Sequence, residues 1–360
     1  MATYGAMAAS KFLIVIFIAR LFGAEDVGDF SFVITFTWAF NFLTDLGMGR
    51  LLVREVAKRR DEVERYVNNT LTICLFLGVI SVLVMTGSIH LLGYPQWIVY
   101  AVCLAGVALA VDTIGNLFRA AFRAFEKFEL ETITMVVQET IFLITGPAIL
   151  YLRLPFLWLF VAYTFSRLAG TLSAWVIYLK QVGDISLQAD YPFWRQLLRK
   201  AFPFTVDTLL STVYVRIDVL MLSFFHGNFA VGYYEAATNI FYRFNVMAWM
   251  VNQSLLPLMS REYAANGTRV EKYVKAAVKY QLMLGMPLTV GALLLSDKII
   301  LFLYGKEFQI SIQLFQLLAS ITVLRLVSNT LATTLTAVDL QGRRATAVAM
   351  RAAFNVLLNL

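Results

Sequence analysis

Apolar stretches of about twenty residues recur along the whole of this 360-residue chain. An α-helix rises 1.5 Å per residue, so a stretch of about twenty residues crosses the ~30 Å hydrocarbon core of a bilayer. Hydrophobic residues make up 59% of the chain and charged residues only 15%, whereas about a quarter of a typical soluble domain is charged. The sequence therefore predicts an all-α, polytopic membrane helical bundle.

Ten complete spans are predicted, followed by part of an eleventh. The complete spans lie near 4–22, 30–53, 67–89, 98–122, 131–152, 156–179, 203–225, 230–258, 275–303 and 310–338. The eleventh begins near residue 345, and the sequence stops inside it at FNVLLNL. This stop suggests a fragment of a longer protein whose second half is incomplete.

Lysine and arginine are concentrated in alternate loops. The basic clusters lie within 50–65, 119–127, 180–200, 261–279 and 343–351. The opposite set of loops contains Arg153, Lys298 and Lys306. Because basic loops stay in the cytoplasm, this bias predicts a cytoplasmic N-terminus in a multi-pass protein of the cell membrane. The net charge of +7 is then explained by these loops, and no nucleic-acid partner is predicted.

A weak internal repeat relates the two halves of the chain. GAEDVGDF (23–30) resembles GNFAVGYY (227–234), and RE…VERYV (54–67) matches RE…VEKYV (261–274). Spans one to four thus correspond to spans seven to ten, which predicts two parallel six-helix lobes related by an axis along the membrane normal. The predicted N-terminal lobe is 1–180, the linker is 181–200 and the C-terminal lobe is 201–360. The linker is expected to end in a short interfacial helix.

Several charged residues fall deep inside the predicted spans, where a charge costs about 2.5–3.5 kcal/mol on insertion scales. The cations and one amide that are candidates for holding a substrate are Lys11, Arg167, Arg216, Arg325 and Asn329. The acids that are candidates for coupling to H⁺ or Na⁺ are Asp112, Glu139, Asp207 and Asp218. The sequence leaves open whether the cations line a cavity or form buried pairs with these acids.

Position along the spans suggests structural roles for other polar residues. In span seven, Asp207 and Asp218 share one stripe, while Thr212 and Arg216 lie on nearly the opposite one. Arg20, Arg50, Arg119 and Arg123 lie near span ends and are expected to extend to lipid headgroups. Asp45, which precedes LGMGR, is expected to cap or bend a helix end.

Neither a metal site nor a cofactor site is predicted. The chain has two cysteines and two histidines, too few for a disulfide framework or a metal cluster. It also lacks the G-x-x-x-x-G-K-[ST] motif that binds nucleotide phosphates.

Two segments resemble the polysaccharide flippase family of the multidrug/oligosaccharidyl-lipid/polysaccharide exporter superfamily. They are ARLFGAEDVGDFSFV…DLGMGRLLVREVAKRR at the beginning and RIDVLMLSFFHGNFAVGYYEAATNIFYR in the middle. The resemblance covers essentially the whole chain and implies two six-helix lobes that move lipid-linked sugars across the cytoplasmic membrane. Such proteins have twelve or more helices, and this sequence stops in the eleventh.

This resemblance implies a transporter rather than an enzyme. The expected partners are membrane lipids and an oligosaccharide linked to polyprenyl phosphate or pyrophosphate, with the deep cations facing the phosphates. A cation-coupled multidrug antiporter and a peptidoglycan-precursor flippase of the same superfamily are alternatives. A membrane-embedded polymerase or glycosyltransferase is less favoured, because the outer loops are short and offer few acids besides Glu25, Asp26 and Glu307.

Overall fold

The computed structural model describes residues 2–265 and 270–338, together with residues 340, 346, 347 and 350. Its regular elements are helices, which confirms the predicted fold class. The chain forms two compact units. The first contains Met1–Leu21 and Asp29–Leu220, and the second contains Phe22–Gly28 and Met221–Leu360.

The α-helices follow the predicted spans in order. They are α1 (Ala2–Leu21), α2 (Ala24–Ala39), α3 (Asn41–Asp45), α4 (Met48–Lys58), α5 (Val63–Leu91), α6 (Gln96–Ala124), α7 (Phe128–Tyr151), α8 (Leu157–Gln181), α9 (Tyr191–Ala264), α10 (Val270–Leu294), α11 (Ser296–Leu303), α12 (Gln309–Ser320) and α13 (Thr322–Ala337). Most of the predicted eleventh span lies outside the described residues.

Length and composition mark several of these helices as membrane spans. Within the described part of the chain, four helices are each long and apolar enough to cross a membrane. They are α6, α7, α10 and the helix over Arg60–Leu91. Two further pairs of helices are long and apolar enough when each bent pair is counted as one span. They are Tyr191–Thr212 with Val215–Phe244 and Lys306–Ser320 with Thr322–Ala337. The second pair is bent by 45°, so the predicted tenth span is not a straight helix.

The predicted second span is broken, contrary to the expectation of one helix over 30–53. Leu46 has φ 42° and Gly47 has φ 71°, left-handed conformations that end α3 and precede α4. The N–H of Gly49 donates to Asp45 Oδ1 at 3.1 Å. Asp45 thus holds the start of α4, which confirms its predicted role at a bend.

The linker is fixed along α5 by a row of polar side chains. Asn68 Oδ1 accepts from the N–H of Ser186 at 3.1 Å. Asn69 Oδ1 accepts from the N–H of Asp190 at 3.1 Å and from Trp194 Nε1 at 3.0 Å. Both asparagines are buried, so these bonds satisfy groups that would otherwise be costly to desolvate.

The helix predicted at the end of the linker is not a separate element. It begins at Tyr191 and runs into predicted span seven as part of α9. Asp190 caps it by accepting from the N–H of Phe193 at 3.1 Å. Phe193 and Leu197 are only 6% and 1% exposed and join the core formed by α4, α5, α6 and α8. This packing holds the linker helix, which continues into the first part of predicted span seven as far as Thr212.

Predicted spans seven and eight are both assigned to α9, but Gly227 separates them. Its φ of 79° and ψ of 171° are not helical, in agreement with the short loop predicted there. In the second unit, Ser311 Oγ donates to the carbonyl of Tyr233 at 2.9 Å. This buried bond joins α12 to the helix that follows Gly227.

Candidate functional site

One face of the N-terminal part of α9 borders a cavity of about 220 Å³ in the first unit. The lining residues are Ala39, Phe40, Phe42, Leu209, Thr212, Arg216, Ile217 and Leu220. Thr212 and Arg216 are the polar members of this otherwise apolar lining. They belong to the stripe that the sequence places opposite Asp207 and Asp218. The geometry thus places one cation of predicted span seven against a largely apolar space.

The two acids of the other stripe have different surroundings. Asp207 Oδ2 lies 2.5 Å from Arg50 Nη1, and both side chains are largely exposed. Arg50 Nη2 also donates to the carbonyl of Phe204 at 2.9 Å. Asp218 is half-buried, and its Oδ1 accepts from the N–H of Val219 at 2.9 Å.

A buried polar cluster joins α6, α7 and α8. Arg119 Nη2 lies 2.8 Å from Asp112 Oδ1, and Arg167 Nη1 lies 3.1 Å from Glu139 Oε1. The Gln138 amide links the two pairs when its nitrogen faces Asp112 Oδ1 at 3.2 Å and its oxygen accepts from Arg167. Two cations and two anions thus balance one another inside the first unit, as buried charges must.

Arg167 is the most enclosed of the predicted substrate-binding cations. Its side chain is 10% exposed and that of Glu139 is 6% exposed. The guanidinium also lies over the ring of Tyr163, 4.6 Å from its centroid. Of the two possibilities that the sequence left open for Arg167, the structure shows a buried pair.

Arg325 and Asn329 lie one turn apart on α13, in the second unit. The Arg325 guanidinium carbon lies 5.0 Å from the ring centroid of Phe241 and 5.5 Å from that of Tyr242. Among the described residues it has no carboxylate partner. Its guanidinium group is therefore held against aromatic rings. Asn329 is half-buried, and its carbonyl accepts from Thr333 Oγ1 at 2.9 Å.

Lys11 lies in α1 and is half-buried. Of the predicted site residues, the first unit therefore contains Lys11, Asp112, Glu139, Arg167, Asp207, Arg216 and Asp218, and the second contains Arg325 and Asn329. The structure brings together Asp112, Glu139 and Arg167. Their roles in binding or coupling stay predictions.

Three arginines that were expected to extend to lipid headgroups instead have protein partners. Arg119 is 2% exposed and pairs with Asp112, while Arg123 Nη1 lies 2.5 Å from Glu131 Oε1. Arg50 pairs with Asp207. Position near a span end did not reveal these partners, because the acids lie seven or more residues away along the chain.

Gln138 and Tyr163 complete the buried cluster and were missed. A signal was available for Tyr163, which lies four residues before Arg167 and thus on the same helix face. Among the described residues, no group of three or more histidine, cysteine, aspartate or glutamate side chains could hold a metal ion.

The candidate spans and the helical fold define a polytopic helical membrane protein. The family model described as "Polysaccharide biosynthesis protein" matches residues 2–263, and the chain belongs to this family. A second model, MatE, matches residues 203–360. The two matches overlap in the segment that contains Arg216.

Two curated relatives have related names. A protein named as an O-antigen transporter from Shigella dysenteriae is 22% identical over 322 residues, which cover 86% of this chain and 77% of that protein. A protein named as the low-salt glycan biosynthesis flippase Agl15 from Haloferax volcanii is 23% identical over 199 residues. That match covers 55% of this chain and 42% of the relative.

Solved structures show the same fold at low sequence identity. An inward-facing multidrug resistance MATE transporter of the MOP superfamily superposes with a TM-score of 0.78 and 16% identity, covering 95% of this chain and 83% of that one. The lipid II flippase MurJ, in an inward closed conformation, superposes with a TM-score of 0.71 and 13% identity, covering 94% and 76%. These likenesses establish the two-lobed fold of the superfamily.

Proposed function

We propose that this protein flips an oligosaccharide linked to polyprenyl phosphate or pyrophosphate across the cytoplasmic membrane, for the biosynthesis of a polysaccharide. Membership in the polysaccharide biosynthesis family supports this function, as do relatives named for O-antigen and glycan transport. The observation that carries it is the pair of deep cations Arg216 and Arg325. One borders a cavity and the other is held by aromatic rings without a carboxylate among the described residues.

The substrate poses two different solvation problems. Its sugar and phosphates are too polar for hydrocarbon, whereas its polyprenyl tail belongs there. A path between two lobes shelters the polar head while the tail remains in the lipid. Guanidinium groups hold phosphate oxygens through charge-assisted hydrogen bonds. Rocking of the lobes then gives alternating access.

The four cations are expected to contribute unequally. Arg216 and Arg325 are the principal phosphate-binding candidates, with Asn329 beside Arg325 as a hydrogen-bonding group for sugar. Lys11 is a further candidate on α1. Arg167 is already matched by Glu139, so its contribution to phosphate binding is expected to be smaller and to depend on that pair.

Ion coupling by H⁺ or Na⁺ is part of the proposal. Asp112, Glu139 and Asp207 each have an arginine partner, so a proton or Na⁺ that binds them must compete with a guanidinium. Asp218 is the fourth candidate. The proposed topology has a cytoplasmic N-terminus, and the proposed activity is transport of the lipid-linked oligosaccharide rather than catalysis.

The alternatives differ in the charge of the substrate. A multidrug antiporter of the same superfamily takes cations and depends on membrane carboxylates, whereas the first helix here contains Lys11 and no acid. A peptidoglycan-precursor flippase shares the need for cations. A glycosyltransferase or polymerase requires an acidic or metal-binding outer face.

Purified protein in liposomes tests the function directly. The assay follows movement of a fluorescent polyprenyl-diphosphate oligosaccharide between leaflets. We expect flipping by the parent and a loss of about tenfold or more in Arg216→Gln and Arg325→Gln, because each removes a charge-assisted contact. Arg153→Gln, in a basic-poor loop, is the matched control. Unchanged flipping in both the Arg216→Gln and the Arg325→Gln variant would remove these arginines from the mechanism.

A further inference from the structure

The first segment of α9, Tyr191–Thr212, is a helix with two unlike faces. Phe193 and Leu197 are buried and belong to the core of the first unit. At 100° per residue, a second set of side chains points away from that core. We call this set the arginine face, and all of its members are exposed. They are Tyr191, Arg195, Leu198, Arg199, Phe202 and Val206.

The arginine face is held in place from behind. Phe193 and Leu197 pack into the core on the opposite side of the helix. Asn69 fixes the beginning of the helix, because its Oδ1 accepts from the N–H of Asp190 at 3.1 Å and from Trp194 Nε1 at 3.0 Å. The exposed side chains therefore start from a fixed backbone, which lowers the conformational entropy that a bound partner must remove.

The two arginines of this face differ from the other cations of the predicted cytoplasmic loops in the first unit, many of which are paired with acids. The pairs are Arg54–Glu55, Arg59–Glu62, Arg60–Glu126, Arg65–Asp190 and Lys200–Glu55. Among the described residues, Arg195 and Arg199 have no carboxylate partner, and the sequence from Tyr191 to Val206 contains no acid. The arginine face therefore presents two positive charges that lie one helical turn apart.

Charged and apolar side chains follow one another along this face. Arg195 and Arg199 come first, Phe202 and Val206 follow, and the helix then continues into predicted span seven. With a rise of 1.5 Å per residue, Arg199 and Val206 are about 10 Å apart along the helix. The basic loops predict that the beginning of α9 is cytoplasmic. The face thus changes from cationic to apolar as the helix enters the bilayer from that side.

We propose that the arginine face binds an anionic phospholipid of the cytoplasmic leaflet. Arg195 and Arg199 hold its phosphate group through charge-assisted hydrogen bonds, while Phe202 and Val206 contact its acyl chains. Acidic lipids give this leaflet a negative surface potential that attracts basic side chains next to a span. An acidic protein segment would match the two charges alone, whereas a phospholipid matches both the charges and the apolar side chains that follow them.

This interaction goes beyond the proposed transport of a lipid-linked sugar. All residues of the arginine face belong to the first unit, and none of them is among the candidate substrate-binding residues. Phospholipid binding is measured without any lipid-linked sugar. Loss of the phospholipid site and loss of flipping are therefore distinguishable, and either proposal can fail alone.

Native mass spectrometry of the purified protein in a neutral detergent measures lipid binding directly. The protein is titrated with phosphatidylglycerol and, separately, with phosphatidylcholine, which carries a phosphate group but no net charge. We expect the parent protein to bind phosphatidylglycerol more tightly. Arg195→Gln and Arg199→Gln should each weaken that binding about fivefold, and the double variant about twentyfold, because each removes one cation from the phosphate.

Two further variants separate charge from apolar contact. The double variant Arg59→Gln with Arg60→Gln is the charge-matched control, since both arginines are exposed and have acidic partners. It should change the affinity for phosphatidylglycerol less than about twofold. Phe202→Ser should weaken the binding of phosphatidylglycerol several-fold, because it removes an apolar side chain that contacts the acyl chains.

Competition identifies the kind of partner. Neither glycerol 3-phosphate nor an oligoglutamate peptide should displace the bound lipid at equal concentration. Displacement by either would overturn the proposal, because charge alone would then be enough to occupy the face. The proposal is also overturned if the double variant of Arg195 and Arg199 keeps the parent's preference for phosphatidylglycerol over phosphatidylcholine.

Discussion

The buried pair of Arg167 and Glu139 permits a quantitative test of what holds the first unit together. Removing one partner of a buried pair costs about 3–5 kcal/mol, because the remaining charge stays desolvated. Both side chains are at most 10% exposed. We therefore expect Glu139→Gln and Arg167→Gln each to lower the free energy of unfolding by about 3–5 kcal/mol. The double variant removes both charges, so we expect it to lose about 3 kcal/mol or less rather than the sum of the two.

Unfolding in mixed micelles with increasing SDS, followed by tryptophan fluorescence, measures these differences. The pair of Arg50 and Asp207 is the matched control, since its side chains are 47% and 64% exposed. An exposed pair contributes about 0–1 kcal/mol, so Asp207→Asn should have little effect on stability. The reasoning is refuted if Glu139→Gln costs no more than Asp207→Asn, or if the double variant equals the sum of its singles.

Three further predictions concern single contacts. Arg325→Lys should flip the substrate more slowly than the parent protein, because an ammonium group stacks less well on Phe241 and does not bind phosphate in a bidentate manner. The liposome assay measures both rates, and equal rates would contradict this prediction. Asn69→Ala should lower the stability of the linker by about 1–3 kcal/mol, because the backbone N–H of Asp190 and the indole N–H of Trp194 lose their acceptor. Proteolysis of the linker should then be faster, and an unchanged cleavage rate would contradict this. Gly47→Ala should destabilise the protein by about 1–3 kcal/mol, because Gly47 has a positive φ, whereas Gly87→Ala should not. Equal melting temperatures for the Gly47→Ala and Gly87→Ala variants would contradict this prediction.

Apolar length predicts the helical architecture well, because a chain in a bilayer must satisfy its backbone hydrogen bonds within each apolar span. The break in the second span was harder to locate. DLGMGR contains two glycines, and composition alone does not show that Leu46 and Gly47 adopt positive φ. The continuity of the linker helix with span seven likewise depends on Phe193 and Leu197 packing into the core.

The sequence identified most charged members of the site but not their pairing. Helical spacing places Asp112 and Arg119 two turns apart, which is compatible with a pair but does not require one. The pair of Arg167 and Glu139 joins two helices, and Gln138 joins that pair to Asp112. Such contacts depend on how α6, α7 and α8 pack, which hydrophobic periodicity does not specify.

In the proposed mechanism, deep cations hold the phosphate of a lipid-linked sugar. The most direct measurement compares flipping of two lipids in the same liposomes, one with the sugar on polyprenyl diphosphate and one with the same sugar joined to the polyprenyl chain without phosphate. We predict that only the phosphate-bearing lipid is flipped efficiently, and that Arg216→Gln with Arg325→Gln abolishes the difference by slowing that lipid. Equal flipping of the two lipids by the parent protein would contradict the account.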